Sequence, residues 1–254
     1  MSNVVFMFPS QSSRYAGMIR KIAELRPEVA YVLDDASDAL GEDLRARYLN
    51  DDPEAFQAKR DQRLGLFLVN LMYQRALELA GVQAQYSLGF SLGEYNHLLH
   101  IGALSFEEAL QILILPTPAH PPDPVGERAV VYRIPLAPLV ELVERGRAHG
   151  VVELGGMLSP HIHYIVGEAE PVHWRQSIDN LIRKHRDAVF VEVGPRRALC
   201  AYFYLEKRWH PKTRYFITDN MDEQTAEHLE KVIQELAPRS RFQVSSSLRS
   251  RFGV

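Results

Sequence analysis

At 254 residues, 46% hydrophobic and 24% charged, the chain is one large domain or one domain with a small insert, at ~150 residues per domain. That length buries a core without metal or disulfides, and the single cysteine, Cys200, excludes both an internal disulfide framework and a Cys-rich zinc site. Twenty-nine Lys plus Arg against 32 Asp plus Glu leave a net charge of −3, which argues against nucleic acid as the main partner.

The first apolar run, Val4 to Phe8, reads as a buried strand that stops at the polar turn Pro9-Ser10-Gln11-Ser12-Ser13. A helix-period stretch follows from about Tyr15 to Leu33, and Asp51-Asp52-Pro53 breaks the chain. Leu64, Phe67, Leu68, Leu71 and Met72 then recur at helical spacing in a helix from about Gln62 to Ala80, stopped by Gly81. Ala84 to Phe90 reads as a strand, Leu92 to His100 as a helix, and Ser105-Phe106-Glu107-Glu108 as a capping box opening another helix.

That helix ends near Leu115, because the proline-rich run Pro116 to Pro124 cannot continue it. Beyond this boundary Ala129 to Tyr132 is strand-like and Leu136 to His149 helical. Val151 to Leu154 and His161 to Val166 are strand-like again. A helix from about Val172 to His185 leads into the strand Ala188 to Val193, which ends at Gly194-Pro195. Alternating strands and helices imply an α/β layer fold with parallel pairing. Residues 239–254 carry four Arg and no acid and read as a flexible basic tail. No apolar run approaches the ~18 residues of a membrane helix, and Met1-Ser2-Asn3 lacks a basic signal-peptide start. A cytoplasmic location without membrane contact is therefore expected.

Gly89-Phe90-Ser91-Leu92-Gly93 matches G-x-S-x-G, with a strand before it and a helix after it. In that context Ser91 sits on a sharp strand-to-helix turn for which the glycines make room. Its hydroxyl is presented at a helix start, where the Leu92 N–H and the helix dipole stabilise an oxyanion.

Extended to Glu94-Tyr95, this segment resembles the G-H-S-L-G-E-Y signature of malonyl-CoA:acyl-carrier-protein transacylases and the acyltransferase domains of polyketide synthases. Three further segments agree in order. Phe8 through Met18 is similar to the opening F-P-G-Q-G-S-Q-Y-x-G-M, Leu158-Ser159-Pro160 through Gly167 resembles the N-S-P-G-Q strand, and Glu192-Val193-Gly194-Pro195 resembles the E-V-G-P turn. The resemblance reaches to about residue 235.

It implies an acyltransferase of fatty acid or polyketide biosynthesis. Ser91 would take an acyl group from a CoA or carrier-protein thioester and pass it to an acyl carrier protein, with the backbone N–H groups of Gln11 and Leu92 as the oxyanion hole. No cofactor beyond the substrate thioester and no metal is implied. The implied fold is an α/β-hydrolase-like large domain, residues 1–125 and 171–254, with a truncated ferredoxin-like small subdomain at 126–170.

Three departures bear on the chemistry. The position of the family's malonyl-selective arginine is Pro116, and no Arg or Lys occurs between Gln85 and Pro124, so malonate is expected to be a poor acyl group. The family segment that carries the catalytic histidine is missing, since Gly167 to Glu170 runs straight into Pro171-Val172-His173-Trp174. Roughly a β-α-β remnant of the small subdomain is left.

A serine hydroxyl needs a base in hydrogen-bond reach. His185 is the first candidate, a few residues before Glu192, where the resemblance places the backbone orienting the family's histidine. His161, beside the cleft, is the second. His97 and His100, on the helix after the elbow, read as surface or packing residues. His161 and His163 share a strand face but lack a third metal ligand. Ser10 and Ser12 replace glycines, so strain is expected there if the loop needs positive φ.

Two other readings accompany the transferase: an acyl-thioester hydrolase, and a catalytically weak relative retained as a carrier-protein binding module. The open strand edge of a shortened subdomain would favour self-association as a homo-oligomer or docking on a carrier protein.

Overall fold

The computed structural model describes residues 3–50, 56–115, 129–132, 135–147, 153–159, 162–166, 174–205 and 212–238. Val4–Phe8 forms strand β1, buried along its whole length. A 3-10 turn at Gln11–Ser13 leads to helix α1 (Met18–Leu25).

The single helix expected between Tyr15 and Leu33 is two. Pro27 cannot donate to the α1 ladder and pushes Arg26 to φ −138, ψ 73, so the chain restarts through a 3-10 turn into α2 (Tyr31–Leu40). Asp43 then caps α3 (Leu44–Leu49) by accepting from Ala46 N at 2.9 Å.

Helix α4 (Lys59–Leu79) is buried on nearly every side from Leu64 to Leu77 and runs through the core. Strand β2 (Tyr86–Gly89), α5 (Gly93–His100) and α6 (Phe106–Ile114) follow. The capping box is formed in full: Glu108 N donates to Ser105 Oγ at 3.1 Å, and Ser105 N donates to Glu108 Oε2 at 2.8 Å.

A second run comprises β3 (Ala129–Tyr132), α7 (Leu136–Arg147), β4 (Glu153–Ser159) and β5 (Ile162–Val166). The chain then returns through α8 (Trp174–Lys184), β6 (Val189–Glu192), α9 (Cys200–Leu205), β7 (Arg214–Ile217) and α10 (Thr225–Leu236). The Asp51-Asp52-Pro53 break, the proline-rich boundary, His161 and the basic tail lie outside the described residues.

Two sheets result. The larger runs β2-β1-β6-β7, all parallel, with Val5 opposite Tyr86 on one side of β1 and Phe190 on the other. Strand alternation splits its core. Val4, Phe6 and Phe8 meet α1, α2, α4, α6 and α10, whereas Val5 and Met7 meet Trp174, Ile178, Phe190 and Phe203. Both faces are covered, which is why β1 reads as an unbroken apolar run.

The parallel pairing inferred from alternation fails in the smaller sheet, β3-β5-β4, which is antiparallel throughout. A β4–β5 connection of two residues permits only a hairpin, since parallel neighbours need a crossover of a dozen residues. The run is β-α-β-β, one strand more than the expected remnant.

Candidate active site

The carboxyl ends of β1, β2 and β6 meet at one edge of the parallel sheet, the place where open α/β sheets bind ligands. β2 ends at Gly89, and after one further residue Ser91 stands exposed at φ 54. Positive φ is strained for a serine, so the surroundings must impose it. The two glycines show how.

A Cβ on Gly89 would collide with the backbone of Glu94, and one on Gly93 with the carbonyl of Phe8. The strand, the turn and the first turn of α5 therefore pack more closely than any side chain allows. Gly93 N donates to Phe90 O and Glu94 N to Ser91 O, both at 3.0 Å, which closes the turn. Leu92, 8% exposed, precedes the first helical residue. Such an arrangement lifts a hydroxyl beside helix-start N–H groups.

The loop after β1 lies against this turn. Phe90 N donates to Phe8 O at 3.0 Å, and Gly93 abuts both Phe8 and Pro9, two residues short of Gln11. Gln11 opens the 3-10 turn, in which Ser13 N and Ser13 Oγ both donate to Ser10 O, at 3.0 and 2.6 Å. The strain expected at Ser10 and Ser12 is absent. Ser10 is extended at φ −94, ψ −176, and among the described non-glycine residues only Ser91 and Met221 have positive φ. A 3-10 turn needs no left-handed residue, so serine fits.

His185 is a correction. It precedes β6, and its ring lies 4.6 Å from that of Tyr86, the first residue of β2. Ser91 follows the last residue of that same strand. Three strand steps of ~3.3 Å plus the turn separate them, on opposite edges of the sheet. An imidazole there cannot reach the Ser91 hydroxyl.

Of the surface and packing readings, the structure gives packing for both His97 and His100. Ser87 Oγ and His97 Nδ1 share a hydrogen bond at 2.8 Å, and His100 Nδ1 meets Gln74 Nε2 at 3.0 Å beside the rings of Phe6 and Phe8. Burial lowers both pKa values. Among the described residues no cluster of three His, Cys, Asp or Glu side chains is arranged to hold a metal.

Two buried carboxylates brace this edge. Glu192 accepts from Ala198 N (2.7 Å), Leu199 N (2.8 Å) and Cys200 N (2.8 Å) at the start of α9. Burial pushes its pKa up to about 7 against the pull of those three donors. Gly194 beside it fits only without a side chain, because a Cβ would strike Pro9 and Asn70.

Asp219, after β7, is fully buried and accepts from Tyr15 (2.5 Å) and Tyr73 (2.9 Å) hydroxyls, Lys21 Nζ (3.1 Å) and Met221 N (2.9 Å). Burial first, and then Asp219, raise the pKa of both tyrosines. This cluster ties the Gln11 loop to β7 and α4. Of its members only Tyr15 lay in a segment that the sequence singled out, because hydrogen-bond partners some 200 positions apart leave no local pattern.

No protein-family model matches the chain. It is 27% identical over 190 residues to a malonyl CoA-acyl carrier protein transacylase from Bacillus subtilis, 72% of this chain and 46% of that one. The chain spans about half the length of the curated relatives it matches. A malonyl CoA-acyl carrier protein transacylase structure from Clostridium perfringens superposes with a TM-score of 0.78 at 19% identity, covering 92% of this chain and 97% of that one. A second, described as a type II PKS acyl-carrier protein in complex with its malonyl-transacylase, reaches 0.74 at 17% identity, covering 91% and 100%. The α/β fold of these structures is the fold of this chain. Among the described residues no helix is long and apolar enough to cross a membrane.

Proposed function

We propose, from the premise that this chain is a shortened, divergent member of the malonyl CoA-acyl carrier protein transacylase family, that it is an acyltransferase working through Ser91. The observation that carries the reading is the exposed serine held at φ 54 between two glycines that admit no Cβ.

In the proposed reaction the Ser91 hydroxyl oxygen attacks the thioester carbonyl and loses its proton to an imidazole. The oxyanion is met by the N–H groups of Gln11 and Leu92. The C–S bond then breaks, the thiol leaves with that proton, and an acyl ester remains on Ser91. A second thiol, on the phosphopantetheine of an acyl carrier protein, reverses these steps and restores the hydroxyl. With His185 on the far edge, His161 is the base we assign. The structure of a relative bound to its carrier protein supports the choice of acceptor.

The division we adopt follows the two sheets: an α/β-hydrolase-like large domain over 1–125 and 171–254, and a truncated ferredoxin-like subdomain over 126–170. β3-α7-β4-β5 matches the first four elements of the six-element β-α-β-β-α-β motif.

Intact-mass spectrometry after mixing with acyl-CoA thioesters tests the reading. A stable acyl adduct is expected on the wild-type chain, lost in Ser91→Ala and discharged by holo acyl carrier protein. Release of free acid without carrier protein would favour the hydrolase. Carrier binding with no adduct from any thioester would leave a binding module and end the transferase reading.

A further inference from the structure

The turn that carries the Gln11 N–H is gripped at both of its ends from elsewhere in the fold. Upstream, Asn70 Nδ2 donates to Pro9 O at 3.4 Å, and Gly93 and Gly194 leave no room for a Cβ against the same proline. The turn itself is closed on its own atoms. Ser13 N and Oγ share Ser10 O, Arg14 N and Nη1 share Gln11 O at 3.3 and 3.2 Å, and Ser10 Oγ meets Ser12 Oγ at 3.1 Å. Bonded inwards in this way, residues 10–14 move as one body, and what holds the two ends sets their orientation.

The downstream grip is Tyr15, whose hydroxyl donates to Asp219 Oδ2 at 2.5 Å across 204 positions of sequence. That acceptor is fixed without Tyr15. Asp219 is fully buried, and its other oxygen accepts from Lys21 Nζ of α1 (3.1 Å), Met221 N (2.9 Å) and Thr225 Oγ1 of α10 (2.5 Å). Oδ2 takes a second phenol as well, Tyr73 of α4 at 2.9 Å. Two hydroxyls therefore make the same kind of bond to the same oxygen, one from the end of the turn and one from a core helix.

We infer that Tyr15 is a positioning residue, which through Asp219 holds the turn at the angle that aims the Gln11 N–H at the oxyanion formed on Ser91. The inference rests on the acyltransferase reading and adds a residue to it. Tyr15 touches no reacting atom and acts only through the turn. A hydrogen bond weakens steeply once its angle falls below ~120°, so a turn free to rock loses the oxyanion contact. That contact exists only once negative charge has formed, so its loss slows the reaction and leaves thioester binding alone.

Tyr15→Phe and Tyr73→Phe make a matched pair for the test, since each deletes one hydroxyl from Asp219 Oδ2 and keeps its ring. In Tyr15→Phe this includes the ring over which Lys21 Nζ lies, 5.4 Å from the centroid. Single-turnover acylation is followed by intact mass with acetyl-CoA and malonyl-CoA as probes. The saturating rate is expected to fall roughly 10–100-fold in Tyr15→Phe, less than the ~10²–10³ lost with an oxyanion donor outright. The half-saturating thioester concentration should stay within about twofold of wild type. Tyr73→Phe should lose comparable stability and keep the wild-type rate. A second readout needs no activity: amide exchange at Ser13 and Arg14, whose N–H groups close the turn, should accelerate about tenfold in Tyr15→Phe and stay unchanged in Tyr73→Phe.

Equal rate losses in the two variants would mark a merely structural bond and overturn the inference. So would a wild-type rate in Tyr15→Phe, or a loss confined to the half-saturating concentration. If wild type forms no adduct with either thioester, the acyl-enzyme reading falls by itself, and amide exchange still decides whether Tyr15 holds the turn. Unchanged exchange at Ser13 and Arg14 in Tyr15→Phe would show that it does not.

Discussion

At the amino edge of the parallel sheet side chains staple the loops together. Val4 N donates to Gln85 Oε1 at 2.8 Å, Asn3 Nδ2 to Asp187 Oδ1 at 3.0 Å, and His185 rests on Tyr86. At the carboxyl edge backbone meets backbone, Gly93 against Phe8 and Gly89 against Glu94, and Gly194 lies tight against the side chains of Pro9 and Asn70. Among the described residues both positive-φ positions that are not glycine, Ser91 and Met221, are on this side. The same strands end in a relaxed edge, where substitution removes a contact, and in a constrained one, where it adds an atom with nowhere to go.

The largest break in this contrast is expected from Gly93→Ala. Its Cβ would enter the Phe8 carbonyl, part of the sheet and unable to yield, so about 4 kcal/mol of stability should be lost in urea melts. Acylation of Ser91 should vanish with it. A melt within about 1 kcal/mol of wild type would mean that the edge is more pliable than its close contacts indicate.

Glu192 sharpens the contrast through pH. Its folded-state pKa of about 7 lies above the ordinary 4.5, so between those values the folded chain binds a proton that the unfolded chain has released. The contribution is complete below pH 4.5 and is lost as pH rises through 7. Its full size is on the order of 3 kcal/mol, at about 1.4 kcal/mol for each pH unit of separation. Glu192→Gln, which cannot ionise, should flatten stability between pH 5 and 8 in denaturant titrations at each pH. An unchanged slope would assign it to other groups.

The smallest effect is expected at the relaxed edge. His185→Ala removes one ring contact and should cost less than about 1 kcal/mol, with the Ser91 acylation rate within twofold of wild type. A hundredfold loss of rate would return His185 to the chemistry and require a different sheet edge for the site.

What the sequence could tell follows the range of each interaction. β1, the capping box of α6 and the elbow are local, written within three to five residues, and they appear as read. Apolar spacing continues across Pro27, so periodicity alone hides the break that the proline itself signals. Closeness in sequence to Glu192 does not say which end of the strand His185 occupies, and the structure puts it before β6 at the amino edge. In a parallel sheet a residue before one strand and a residue after its neighbour stand on opposite edges, so the inferred pairing already separated His185 from Ser91. Asp219 has no such clue, since its partners on α1 and α4 come together only when distant helices pack.

The interleaved strand order has a consequence for biosynthesis. Val4 pairs with Val189, and 100 residues separate Gly89, the end of one neighbour of β1, from Val189, the start of the other. At ribosomal speeds of about 5–20 residues per second, the emerging chain carries β1 with one flank open for roughly 5–20 s. During that interval Val5 and Met7 lack the cover later given by Trp174 and Phe190, so this flank of β1 stays open to wrong pairing until β6 and α8 have emerged.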